Sequence, residues 1–170
     1  MTTTMRIYGN FELPRGRWSE PDPGFYGHII VWDDGKFVGY HDELYGGAEG
    51  MEFLDNEVNN LRFITGYITK NGHNGAEGIA FLKLSLDRRQ SPIVYFVPDL
   101  EKGLGAWSTS DPRKNPNGRA KLVVEEVPDD DAVSTKINDL YLRMTNDTDF
   151  VNRHLLDKVE ACQAILEHRE

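Results

Sequence analysis

The sequence predicts a mainly β protein: an antiparallel up-and-down barrel of about eight strands over residues 1–127, then an acidic helical segment over 128–170. Three observations predict it. Up to Val127 the chain breaks into short runs rich in β-branched and aromatic residues, punctuated by Gly, Pro, Asn and Asp. Several links between those runs are too short for a parallel crossover, which implies antiparallel neighbours. After Pro128 neither Gly nor Pro occurs again, and apolar residues recur at helical spacing.

Taken in order, the strands fall near 5–13, 24–32, 36–45, 60–70, 78–86, 91–97, 103–109 and 119–127. The clearest hairpin joins Gly24–Trp32 to Lys36–Tyr45 through Asp33-Asp34-Gly35, whose glycine accepts the positive φ of a tight turn. Ile79–Leu86 and Ile93–Val97 are apolar on both faces, so each face needs cover. A closed barrel supplies it with an interior and an outer helix and leaves no open edge; a two-sheet β-sandwich is the alternative.

The tail carries a net charge of -5 over its last 43 residues. Asp129, Asp130 and Asp131 stand where a helix would begin, ahead of Val133, Ile137, Leu140 and Met144 at helical spacing. The stretch 137–144 also alternates well enough for a strand. A second stripe of Val151, Leu155, Val159, Cys162 and Leu166 predicts another helix, packing on the barrel or extending from it.

Composition narrows the function classes. The chain is 170 residues long, with 39% hydrophobic and 28% charged residues, an ordinary folded composition. A formal net charge of -9 opposes general binding to a phosphate backbone, so no nucleic-acid partner is expected. Cys162 is the sole cysteine, and neither a signal-like stretch nor a membrane-length apolar run occurs, so the chain reads as cytoplasmic with no membrane partner. A phosphate-binding glycine loop, a Gly-x-Ser-x-Gly elbow and a Cys-x-x-Cys pair are all missing, so no cofactor and no catalytic residue are assigned.

The glycine and aromatic punctuation of Asp34-Gly35-x-Phe37-x-Gly39, Ile79-x-Phe81-x-Lys83, Pro92-Ile93-x-Tyr95 and Gly103-x-Gly105-x-Trp107 resembles small lipocalin-like, or calycin-type, barrels over about 24–109. Gly16-Arg17-Trp18 resembles the first-strand Gly-x-Trp of lipocalins, although here it sits in a Pro-rich stretch after the first strand. The resemblance implies a cup that holds an apolar ligand, and it brings no catalytic residue.

The richest constellation is in the 24–45 hairpin. With a two-residue Asp34-Gly35 turn, Trp32 faces Phe37, His28 faces His41 and Tyr26 faces Glu43. One face then joins two imidazoles and a carboxylate, a donor set suited to zinc or iron: His28, His41 and Glu43. With a three-residue Asp33-Asp34-Gly35 loop, His28 faces Tyr40 and that grouping dissolves. The same face supplies the candidate ligand-binding residues Tyr26, His28, Trp32, Phe37, His41, Glu43 and Tyr45. Lys83, Arg88 and Arg89 gather around one hairpin and read as solvated turn charges.

These readings lead to a non-enzymatic binding domain for a small apolar or aromatic ligand. A protein-interaction or assembly module is the first alternative, using the acidic loop 42–57 or self-association through the C-terminal segment. A metal-assisted or acid-base enzyme at His28, His41 and Glu43 is the second.

Overall fold

The computed structural model describes residues 1–19, 22–43, 61–69, 76–85 and 92–145. Eight strands follow in chain order: β1 (Thr2–Phe11), β2 (Phe25–Trp32), β3 (Lys36–Glu43), β4 (Leu61–Thr69), β5 (Gly78–Ser85), β6 (Ile93–Asp99), β7 (Leu104–Ser108) and β8 (Gly118–Glu126). They form one closed antiparallel barrel in which each strand pairs with its chain neighbours and β8 returns to β1. Barrel rather than sandwich is therefore the architecture. β1 begins earlier than the sequence suggests, because β-branched Thr2, Thr3 and Thr4 pair with the end of β2.

Strand alternation sends one set of side chains inward. Phe25, Ile29, Phe37, Ile64, Phe81 and Tyr95 are essentially inaccessible to solvent and fill the middle of the barrel. Phe81 and Tyr95 stack with ring centroids 4.8 Å apart, and Phe25 meets Tyr95 edge-on at 6.0 Å. At mid-height the inward side chains of the described residues pack together as a core.

The outward set explains the strands that are apolar on both faces. Tyr40, Phe63 and Leu82 form a second cluster with Val133, Ile137 and Leu140 of the helix α1 (Asp131–Thr145). Burying one such side chain contributes roughly 1.5–3 kcal/mol. Residues 137–144 are thus helical, since this spacing puts Val133, Ile137 and Leu140 on one stripe. Asp130 caps the helix, its carboxylate accepting from the Ala132 N–H at 2.9 Å. Asp129 accepts from the Thr4 hydroxyl at 2.9 Å, fastening the helix start to β1. No helix among the described residues is long and apolar enough to cross a membrane. The second helical stripe, with Cys162, and most of the acidic loop 42–57 lie outside the described residues.

The β2–β3 connection decides which side chains share a face. Asp33, Asp34 and Gly35 all belong to it: the Gly35 N–H donates to the Trp32 carbonyl at 2.9 Å, and the Asp34 carboxylate accepts from the Lys36 N–H at 3.0 Å. Gly35 has φ of 90°, where a Cβ would also run into the Ile68 carbonyl. The resulting register pairs His28 with Tyr40 and Gly27 with His41. It replaces the pairing of His28 with His41, because one extra turn residue shifts β3 by one position and turns its side chains over relative to β2.

Candidate functional site

Four chargeable or basic side chains point inward at one end of the barrel. His41 and Glu43 come from the end of β3, Arg62 from the start of β4 and Lys83 from the end of β5; the hydroxyl of Tyr95 on β6 joins them. They cluster at one height because β3 and β4 set His41 opposite Arg62, and β4 and β5 set Ile64 opposite Lys83. This is the end away from the 33–35 turn.

Lys83 Nζ donates to Glu43 Oε1 at 2.5 Å and to the Tyr95 hydroxyl at 3.3 Å. It also lies over the Phe11 ring, 5.1 Å from its centroid. Lys83 and Glu43 are each 7% exposed, so this pair is a buried one. Burial pushes the Glu43 carboxyl up, but the Lys83 charge and the His41 imidazole reverse this and hold it below the ordinary carboxylate value. Burial likewise pulls Lys83 down, and Glu43 more than compensates, leaving the ammonium above its usual value. Both are charged at neutral pH.

His41 is the odd member. It is 0% exposed, stacks on Phe25 with centroids 4.6 Å apart, and burial depresses its pKa despite the neighbouring carboxylate. Its Nε2 lies 3.4 Å from Glu43 Oε1, close enough for electrostatic contact but without hydrogen-bond alignment. Among the described residues, both ring nitrogens and Glu43 Oε2 are buried without a hydrogen-bond partner. Each such atom costs about 1–3 kcal/mol unless something satisfies it. Phe11, Ile93 and Trp107 face the interior at this same end and remain partly exposed, in contrast to the sealed rings at mid-height.

The sequence-designated residues divide between two faces. Phe37, His41 and Glu43 point inward, and Phe37 is locked in the packed middle. Tyr26, His28 and Trp32 point outward: Trp32 is 44% exposed beside the turn, and His28 Nδ1 shares a hydrogen bond with the Tyr40 hydroxyl at 2.9 Å. Burial lowers the His28 pKa and pushes the Tyr40 hydroxyl up to about 12. Tyr45, Arg88 and Arg89 lie outside the described residues. His28 opens instead onto an outer groove of about 520 Å³ shared with Pro128, Asp129, Asp130 and Val133.

His28 therefore does not converge with His41 and Glu43, and among the described residues no group of three or more His, Cys, Asp or Glu is placed to hold a metal ion. Lys83 is a second correction. It is an interior residue bound to Glu43 and not a solvated turn charge, because it continues the inward alternation of Ile79 and Phe81. Comparison with protein-family models, curated proteins and solved structures finds no match.

Proposed function

We propose that the protein is a non-enzymatic binding domain for a small ligand with an apolar or aromatic body, held at the end of the barrel where β1, β3, β5 and β7 finish. One observation carries the reading: His41 Nδ1, His41 Nε2 and Glu43 Oε2 are buried without partners beneath a partly exposed rim of Phe11, Ile93 and Trp107. Polar groups left in that state favour a ligand that completes their hydrogen bonds while its body covers the aromatic rim. The resemblance to calycin-type barrels points the same way. The packed middle restricts such a ligand to the mouth of the barrel.

A thermal-shift screen of small aromatic compounds tests the proposal. A ligand at a hundred times its Kd stabilises by about 2.7 kcal/mol, and His41→Phe should abolish that gain. A screen in which nothing raises the melting temperature, or in which His41→Phe responds like the native chain, would overturn the reading.

A further inference from the structure

We infer that the surface built by residues 12–18 and 111–121, beside the barrel mouth, docks an acidic protein segment that carries apolar residues among its carboxylates. The inference is independent of the small-ligand reading above.

Charge is spread unevenly over this acidic chain. The two segments hold six of its nineteen bases, Arg15, Arg17, Arg113, Lys114, Arg119 and Lys121, but only Glu12 and Asp111 of its twenty-eight acids. Both acids are already engaged: Glu12 pairs with Arg119 at 2.7 Å and Asp111 with Arg113 at 2.9 Å. Arg15, Arg17, Lys114 and Lys121 are exposed and make no ion pair among the described residues.

Hydrogen bonds join the two segments into one surface. The Glu12 N–H donates to the Arg119 carbonyl at 2.9 Å, and the Trp107 indole N–H donates to the Glu12 carbonyl at 3.0 Å. The Trp18 ring then lies against β8, with the Lys121 ammonium 4.2 Å and the Arg119 guanidinium 5.0 Å from its centroid. Cations held against a ring lose little freedom when a carboxylate arrives. On the same outer wall Leu104 stands beside Lys121, and Val123 follows along β8; they are 55% and 40% exposed. Apolar side chains next to cations suit a partner of matching pattern, carboxylates for the bases and apolar residues for Leu104 and Val123. A nucleic acid fits less well, since the rest of the chain has twice as many acids as bases and repels an extended phosphate backbone.

A capped Glu-Leu-Glu-Glu-Leu-Glu peptide and its Gln-Leu-Gln-Gln-Leu-Gln analogue test the inference on the full chain, with amide and indole chemical shifts as the readout. The acidic peptide should bind about tenfold more tightly than the analogue at low salt and lose that advantage at high salt. It should shift the Trp18 indole and the Lys121 and Leu104 amides. Arg17→Gln combined with Lys114→Gln and Lys121→Gln, three exposed replacements, should remove the advantage, whereas Lys36→Gln at the opposite end of the barrel should keep it. Equal binding of the two peptides or none, shifts confined to other residues, or undiminished binding by the triple variant overturns the inference. So does tighter binding of single-stranded DNA or of phosphatidylserine vesicles than of the acidic peptide.

Discussion

Lys83 and Glu43 form a 2.5 Å ion pair inside the barrel, each 7% exposed and drawn from strands that are not adjacent. A pair so placed is sensitive to losing one member, because the survivor keeps its desolvation cost without its counter-charge. Lys83→Met should therefore destabilise the protein by about 3–5 kcal/mol in urea unfolding, whereas Lys83→Met combined with Glu43→Leu should recover most of that loss.

Acid sensitivity should begin with His41. Its folded pKa lies below the unfolded value of 6.5, so the unfolded chain binds the proton more readily as the pH falls. The neutral imidazole's full contribution is present above about 6.5 and is lost on acidification towards the folded pKa. Glu43 acts in the same direction at lower pH, because its folded carboxyl is depressed below 4.5 and its contribution is lost as the pH falls. Urea midpoints measured from pH 8 to 5 should decline below about 6.5, with a shallower slope in His41→Phe. His28, also depressed by burial, acts in the same direction, and His28→Gln would isolate its part.

Gly27 faces His41 across the β2–β3 seam, and a Cβ there would overlap the Tyr40 carbonyl oxygen and crowd the His41 backbone. Gly27→Ala should cost about 1–3 kcal/mol by overpacking. Its amide spectrum should change most around Tyr40 and His41, which chemical-shift mapping would read.

The helix should behave as part of the core. Ile137, 2% exposed against the outer barrel wall, should cost about 2–5 kcal/mol when replaced by Ala, whereas Leu142, 59% exposed, should change stability by less than about 0.5 kcal/mol. Chemical denaturation of both variants checks the contrast.

The strands were legible because Gly, Pro, Asn and Asp mark their ends and β-branched residues fill them; even β7, only Leu104–Ser108, stood out between Gly103 and the following polar loop. Register was not legible. Both faces of β2 carry aromatic residues, so nothing in Phe25–Trp32 penalises a one-residue slip, and the decision passed to whether Asp33 belongs to the turn. The site was half legible. His41 and Glu43 attract notice by type, but their partner Lys83 lies 40 residues further on and meets Glu43 only through barrel closure. One available signal was its place in Ile79-x-Phe81-x-Lys83, where a charge takes an inward position after two core residues.

The short β7 carries a consequence for how this barrel would come apart. It is the shortest strand, and its pairing with β6 slips between Phe96 and Asp99, so few backbone hydrogen bonds hold that side of the cylinder. Unzipping there would convert an edgeless cylinder into an open ribbon with unsatisfied amides along β6 and β8. The amides of Leu104–Ser108 and their partners should exchange with solvent ahead of the rest of the wall. Any route to templated strand pairing between molecules would start at that seam.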